Sequence, residues 1–119
     1  EFTRTIEHLE YIFSHISNSN IGVCYDAGHD HCYFNDMFDW DLFKNKILLV
    51  HLHDNDGSSD QHLLPYDGTI DWDLITKNLK KVNYNGDIIL ESCYRYDYLN
   101  ISIDEFYKLS LERGEHLKL

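Results

Sequence analysis

The sequence predicts an α/β fold built on a parallel sheet. Three short apolar segments are typical of buried strands, and amphipathic segments that predict helices lie before, between and after them. This regular alternation of helix and strand is typical of β-α-β units, whose strands run parallel. The 119 residues are 43% hydrophobic and include one proline, so they supply one domain's length of chain with enough apolar material for a core.

The first half of the chain predicts two helices and one strand. The spacing of apolar residues over 3–17 predicts an amphipathic helix, which the polar residues 18–20 end. Residues 21–25 predict a buried strand that ends at Asp26. We expect a polar loop over 27–35 and then a short helix within 36–46.

The second half predicts two strands and two helices. Residues 47–53 are the strongest strand candidate, because they are apolar on both faces, as in parallel sheets. A loop over 54–68 leads to a helix that Asp71 can cap and that ends before 84–86. Residues 88–91 predict the third strand and 92–100 a loop. Ser102 and Glu105 match a capping box that begins a last helix, which runs to near Glu112.

Composition disfavours several classes of protein. Ten Lys and Arg residues against 21 Asp and Glu give a net charge of -11, which disfavours binding to phosphate backbones and anionic membranes. No apolar run reaches the ~18–20 residues of a membrane span. The three cysteines (Cys24, Cys32 and Cys93) form no CxxC motif, so we expect free thiols in a reducing, cytoplasmic compartment, with Cys24 in the core.

Each predicted strand ends in residue types that bind metals. Asp26 ends the first, His51 and His53 end the second, and Glu91 ends the third. Since the carboxyl ends of parallel strands share one edge of a sheet, these side chains are expected to lie together. Imidazole and carboxylate without thiolate favour Zn, Mn, Co, Fe or Mg over a cysteine-rich zinc site.

Other residues of the same types lie close by, and each has a simpler alternative. His29 follows Asp26, and Asp60 and His62 lie in the loop after the second strand. Taken singly, Asp26 could cap a helix, His51 or His53 could be a buried histidine with ordinary partners, and Glu91 could form a salt bridge. We expect three further histidines on helix surfaces and one in a loop without a role: His8, His15, His116 and His31.

Four motifs occur in order over nearly the whole chain. Residues 21–29 read strand-Asp-x-Gly-His, 50–57 read Val-His-Leu-His-Asp-Asn-Asp-Gly, 60–72 read Asp-x-His to Ile-Asp-Trp, and 84–91 read Tyr-x-Gly-strand-Glu. Together they resemble the xylose-isomerase-like TIM barrel superfamily, which holds sugar isomerases and epimerases, inosose dehydratases and endonuclease IV-type nucleases. The family often has Gly at the position of Tyr66.

The resemblance implies a partial (β/α)8 TIM barrel, comprising about the last three parallel strands with their helices. Residues 1–119 are then a single unit, the C-terminal fragment of a larger barrel. A fourth metal ligand, a Glu on an earlier strand, has no match. The partner is then the missing N-terminal barrel half or a second copy of the chain.

The resemblance also implies roles for the polar residues. Asp26, His51 and Glu91 match three ligands of the family's shared metal, and in epimerases the residue matching Glu91 also exchanges a proton beside the substrate carbonyl. His29 matches a substrate contact in isomerases and epimerases and a second-metal ligand in nucleases, so His29 and Glu91 are the candidate catalytic residues.

Four further positions complete this set of candidates. Asp60 and His62 match ligands of a further metal in the nucleases, so they are candidates for a second metal or for substrate. His53 matches no ligand; His53 and Arg95 are candidate substrate contacts.

The function expected from these residues is a divalent-metal-dependent isomerase or epimerase of a sugar or polyol, using Mn, Co, Zn or Mg. A cation on the substrate carbonyl acidifies the neighbouring C–H, and a carboxylate such as Glu91 removes the proton. One alternative is a metal-dependent phosphodiester hydrolase of the endonuclease IV type, which His29, Asp60 and His62 favour and the net charge opposes. The other is a non-catalytic fragment that retains the motifs.

Overall fold

The three predicted strands form one parallel sheet, in which β2 (Ile47–Leu52) lies between β1 (Val23–Asp26) and β3 (Ile88–Leu90). This computed structural model describes residues 6–18 and 20–117. The register pairs Asp26 with His51 and His51 with Ile89, so the carboxyl ends of the strands share one edge. The prediction of an α/β fold with parallel strands is confirmed.

The described residues contain five α-helices and one 3₁₀ turn, at Tyr96–Tyr98. The helices are α1 (Ile6–His15), α2 (Ala27–Phe34), α3 (Trp40–Phe43), α4 (Trp72–Lys81) and α5 (Ile103–His116). The sequence predicts that the first helix begins at residue 3, but residues 3–5 lie outside the described residues. Residue 19, in the segment predicted to end this helix, also lies outside them.

Both predicted helix caps are present. The Asp71 carboxylate accepts the backbone N–H of Leu74 at the start of α4. At the start of α5, Ser102 and Glu105 form the reciprocal capping box, and the helix continues past the predicted end at Glu112. These local signals fix where each helix begins because they satisfy backbone N–H groups that lack a partner within the helix.

The prediction of a loop over 27–35 is wrong, because α2 occupies most of it. Asp26 accepts the backbone N–H of His29 at 3.0 Å and caps the helix, and Asn35 ends it with a left-handed φ of 53°. Apolar periodicity could not reveal α2, because its buried residues are Ala27, Gly28 and Asp30. The predicted helix within 36–46 is present only as the single turn of α3, capped by Asp39.

The helices cover one face of the sheet. The core on that face is formed by buried residues of the strands, of the start of α2, of α4 and of the segment before α4, together with Leu117. These residues are Tyr25, Ala27, Ile47, Val50, Leu52, Ile70, Trp72, Ile75, Leu79 and Leu117. The opposite face carries Cys24, Leu49 and Ile89, and Ile89 is 42% exposed. Cys24 is exposed because it lies on this opposite face of the sheet, so its predicted place in the core is wrong.

The structure also bears on two predictions made from composition, those on the cysteines and on a membrane span. The three cysteines are free thiols, as predicted. None of the helices in the described ranges combines the length and the apolar character needed to cross a membrane.

Candidate metal centre

Donor side chains from adjacent strands meet at the carboxyl edge of the sheet. Asp26 is the last residue of β1, His51 lies one residue before the end of β2, and Glu91 directly follows β3. The backbone N–H of Glu91 donates to the carbonyl of Leu52 at 2.9 Å, which continues the sheet to this point. His51 Nδ1 lies 2.8 Å from Glu91 Oε1, so the structure brings these two predicted ligands into contact.

His53 extends this group behind the strand ends. It follows β2 directly, and its Nε2 lies 3.3 Å from Asp26 Oδ1. Donor atoms of Asp26, His53 and Glu91 all lie within 4.8 Å of one another, which is close enough for one metal ion. His51 is joined to this set through its contact with Glu91.

A second group of donors comprises His29, His53, Asp60 and His62, whose ligand atoms also lie within 4.8 Å of one another. The Asp60 carboxylate is at its centre. Its Oδ1 lies 3.2 Å from His62 Nε2 and its Oδ2 lies 3.3 Å from His29 Nε2. The other ring nitrogen of His29, Nδ1, lies 3.1 Å from Asp26 Oδ2, so His29 connects the two groups.

The orientation of His62 is fixed by a hydrogen bond to the third strand end. Its Nδ1 donates to the backbone carbonyl of Glu91 at 2.7 Å. Because a carbonyl only accepts, Nδ1 carries a proton, and the other ring nitrogen, Nε2, faces the Asp60 carboxylate. A histidine held in this way by its other nitrogen is the usual form of a metal-binding imidazole.

Asp54 holds the loop that carries Asp60 and His62. Its buried carboxylate accepts the backbone N–H groups of Asn55 and Ile70 on Oδ1, and the Tyr66 backbone N–H and Trp72 Nε1–H on Oδ2. Tyr66 has a φ of 74°, the left-handed conformation that favours glycine. The loop therefore keeps a glycine-type backbone at this position although the residue is tyrosine.

The electrostatics of the site depend on the contact between Asp26 and His53. Burial acts to raise the pKa of Asp26, but the His53 imidazole and the His29 backbone N–H outweigh it, and the pKa of Asp26 is lowered. Burial acts to lower the pKa of His53, but the carboxylates of Asp26 and Asp60 outweigh it, and the pKa of His53 is raised. The pair therefore favours carboxylate and imidazolium in the absence of a cation.

The remaining residues belong to neither group of donors. Arg95 is exposed and directly precedes the 3₁₀ turn. His31 lies on α2 rather than in a loop, and its ring binds Asp36 at 2.9 Å and Thr69 at 2.9 Å. The three histidines predicted to lie on helix surfaces are exposed: His8, His15 and His116.

The sequence indicated the strand-end residues but not the central place of His53. The signal available was the alternation of side chains along a strand, which puts His51 and His53 on the same face. That signal does not show that Asp60, which lies in the following loop, folds back over the ring. Such a contact depends on the path of the loop, which Asp54 fixes.

Comparison with known proteins gives the family of the chain. The model of the xylose isomerase-like TIM barrel family matches residues 1–113. An uncharacterized protein of Sinorhizobium fredii is 36% identical over 92 residues, covering 68% of this chain and 26% of that protein. An uncharacterized protein of Methanocaldococcus jannaschii is 33% identical over 91 residues, covering 74% of this chain and 31% of that protein.

Three solved structures have the same fold. A D-tagatose 3-epimerase-like protein is 30% identical with a TM-score of 0.69, over 96% of this chain. A xylose isomerase domain protein from Alicyclobacillus acidocaldarius is 26% identical with a TM-score of 0.75, over 98% of this chain. The IOLI protein, in a structure with a bound zinc atom, is 20% identical with a TM-score of 0.73, over 96% of this chain, and this likeness concerns the fold alone.

These matches define the chain as part of a barrel. It spans 43% of each of the three solved structures, and less than a third of the two curated relatives. Three parallel strands with their helices account for that share, so the expected partial barrel is confirmed. The chain belongs to the xylose isomerase-like TIM barrel family.

Proposed function

We propose that this chain carries the metal ligands of a divalent-metal-dependent isomerase or epimerase acting on a sugar or polyol. The observation that carries the proposal is the meeting of Asp26, His51 and Glu91 at the carboxyl edge of three adjacent parallel strands. In α/β barrels this edge is where catalytic residues lie. A role in sugar metabolism follows from the substrate class.

The residues present fit a divalent cation. The donors are carboxylate oxygens and imidazole nitrogens, which suit Mn, Co, Zn or Mg. Asp60 Oδ1 is buried without a hydrogen-bond partner among the described residues, next to the equally unpartnered ring of His53. A buried carboxylate oxygen without a partner at a donor cluster is a mark of a site that binds an ion. Asp26, His51 and Glu91 are the proposed ligands of the first metal.

The geometry also supports a proton-transfer role for Glu91. A metal ion at the site would supply Lewis-acid polarisation of a substrate carbonyl. Glu91 is 31% exposed, so its carboxylate can reach a C–H beside that carbonyl, and His51 keeps it in place. His29 is 35% exposed at the entrance to the same edge and is proposed to contact the substrate.

The relatives support this choice of reaction. The D-tagatose 3-epimerase-like structure shares the fold at 30% identity, and the xylose isomerase domain protein shares it at 26%. The acidic balance of the chain also suits a neutral substrate, since neutral sugars need no basic groove. The zinc atom of the IOLI structure is one of the cations that these donor types bind.

A second candidate function is metal-dependent hydrolysis of a phosphodiester. It is favoured by the group of His29, Asp60 and His62, which could hold a further metal ion or contact substrate. Two adjacent metal ions are suited to phosphoryl chemistry. The net charge of -11 opposes this function, because it repels a polyanionic substrate.

The proposal extends to the rest of the barrel. We propose that residues 1–119 form one unit, the C-terminal part of a cytoplasmic enzyme, and that an N-terminal half or a second copy completes the site. The isolated chain then binds metal but shows no measurable turnover. A non-catalytic fragment that retains the motifs also shows no turnover, so an assay of the isolated chain does not distinguish the proposed enzyme part from such a fragment. The two are separated by reading the coding DNA upstream of residue 1 and joining to this chain any in-frame segment found there.

The test is exchange of the proton beside the carbonyl of a ketohexose. The joined protein is incubated with Mn²⁺ and ketohexose in D₂O, and deuterium incorporation is followed by NMR. We expect incorporation that Glu91→Gln abolishes and that Glu112→Gln, on the exposed surface of α5, leaves unchanged. Absence of exchange together with cleavage of an abasic-site oligonucleotide would support the hydrolase instead.

A further inference from the structure

His53 differs from the other donors of the metal centre in its access to solvent. Its side chain has no exposed surface, whereas Asp26 is 11%, Asp60 28% and Glu91 31% exposed. A catalytic metal keeps one coordination position open to substrate. His53 belongs to both donor groups but is fully buried, so its place is to support the more exposed donors rather than to face substrate.

The imidazole of His53 lies between two carboxylates from different parts of the chain. Its Nε2 lies 3.3 Å from Asp26 Oδ1, at the end of β1, and 3.5 Å from Asp60 Oδ1, in the loop after β2. Both carboxylates belong to a candidate ligand group. One buried nitrogen therefore faces both groups at once.

Packing, rather than a hydrogen bond, holds the ring in this position. His53 stacks on His62 with ring centroids 3.9 Å apart and meets the edge of His29 at 5.5 Å. On another side it contacts Gly28, where an added Cβ would overlap the ring. The Asn55 amide donates to the carbonyl of Gly28 at 2.8 Å and so keeps α2 against the ring.

We propose that His53 is a positioning residue that sets the spacing of the Asp26 and Asp60 carboxylates and thereby the metal affinity of the site. The proposal rests on the proposed function, because it requires that the site binds metal. His53 acts through its neighbours: the ring nitrogen attracts both carboxylates, and the ring fills the space behind them. Loss of such outer contacts weakens metal binding without removing a ligand.

The test is titration of the 119-residue chain with Co²⁺, followed by calorimetry and by the visible spectrum of the bound ion. His53→Leu keeps the volume and removes the ring nitrogens, while His53→Gln returns a polar group near Nε2. We expect His53→Leu to weaken Co²⁺ binding by roughly tenfold or more and His53→Gln to restore most of it. The absorption bands of bound Co²⁺ stay at the wild-type positions, because the ligand set is unchanged.

His31→Leu is the matched control, since it removes another imidazole that contacts a carboxylate and a loop. It leaves Co²⁺ affinity at the wild-type value, and circular dichroism verifies the fold of each variant. Equal affinity of His53→Leu and wild type overturns the positioning role alone, as does equal weakening by Leu and Gln. Shifted absorption bands overturn it in favour of direct ligation. Failure of the wild type to bind Co²⁺ overturns the metal site itself.

Discussion

His51 Nδ1 and Glu91 Oε1 lie 2.8 Å apart, and this contact joins the end of β2 to the end of β3. An imidazole nitrogen and a carboxylate oxygen at this distance either form a hydrogen bond or bind one cation together. A divalent cation between them replaces the proton, so metal binding and protonation compete at this pair. The contact is therefore the most direct place to test whether the edge of the sheet binds metal.

Glu91→Gln is expected to weaken binding of Co²⁺ to the chain by at least about tenfold. The amide keeps the shape of the side chain but loses the negative charge and one donor oxygen. Isothermal titration calorimetry measures the affinity, and Glu112→Gln, on the exposed surface of α5, is the control. An unchanged affinity in Glu91→Gln would contradict the assignment of Glu91 as a ligand.

Asp54→Asn is expected to destabilise the fold by about 2 kcal/mol or more, because a buried charged acceptor is lost. The carboxylate accepts four N–H groups from the loop and α4, and an amide turns one acceptor into a donor that faces those groups. Urea unfolding followed by Trp fluorescence measures the change. Asp56→Asn removes an exposed carboxylate two residues away and should cost far less. Equal losses in the two variants would show that the Asp54 hydrogen bonds contribute little.

The strands and the longer helices could be predicted from the sequence because their signals are local. Residues 47–52 are apolar without interruption, and the capping box of Ser102 and Glu105 marks the start of α5. By contrast, α2 is short and has no apolar stripe, and its formation depends on the cap that Asp26 provides. Asp26 is thus both a proposed metal ligand and the cap that starts α2, and a sequence pattern does not reveal both roles.

The candidate site could be predicted only in part. Strand alternation and parallel pairing place Asp26, His51 and Glu91 at one edge of the sheet, independently of the loop conformations. The position of Asp60 over His53 depends on a loop path set by hydrogen bonds to Asp54, and no local pattern encodes such a path. The exposure of Cys24 has a similar cause, because it depends on which face of the sheet the rest of the chain covers.

Asp30→Asn is expected to stabilise the protein above pH 7 and to leave its stability unchanged below about pH 4. Burial, together with the charge of Asp36, raises the pKa of Asp30 from 3.8 to about 6. The folded state thus holds this proton more tightly than the unfolded chain. The resulting stability is present below the unfolded pKa and is lost as the pH rises through the folded pKa.

The gain from Asp30→Asn approaches about 3 kcal/mol at neutral pH, on the scale of about 1.4 kcal/mol for each pKa unit. Urea unfolding of the metal-free chain at pH 4 and at pH 7.5 measures it. Asp87→Asn, which alters an exposed carboxylate, should give no such difference between the two pH values. An equal gain in the stability of Asp30→Asn at pH 4 and at pH 7.5 would rule out the burial of a charge as the cause of that gain.

Tyr66→Gly is expected to be more stable than Tyr66→Ala by about 1 kcal/mol, because glycine adopts a left-handed backbone without steric cost. Both substitutions remove the same ring, which lies near Trp72 and Arg113, so the difference isolates the backbone with its φ of 74°. Thermal unfolding of the two variants measures it. At Tyr96, an exposed residue of the 3₁₀ turn, the order should reverse. Greater stability of Ala at both positions would contradict the prediction.

Ile89→Asp is expected to reduce self-association of the isolated chain. The sheet face opposite the helices carries Ile89, which is 42% exposed and pairs with His51 of β2. The outer edges of β1 and β3 have no strand partner in the part of the chain that the structure describes. Unpaired edges beside an exposed apolar face favour association with another chain.

Size-exclusion chromatography with light scattering, at low micromolar concentration, tests this association. The wild type should elute as a dimer or larger species, because a second copy covers part of the apolar face. Ile89→Asp should shift the chain toward the monomer, because a carboxylate on that face must be desolvated when the copies meet. Leu99→Asp, which changes an exposed residue at the end of the 3₁₀ turn, should leave the mass unchanged. A well-folded wild-type monomer would mean that the uncovered face is stable in water and needs no partner.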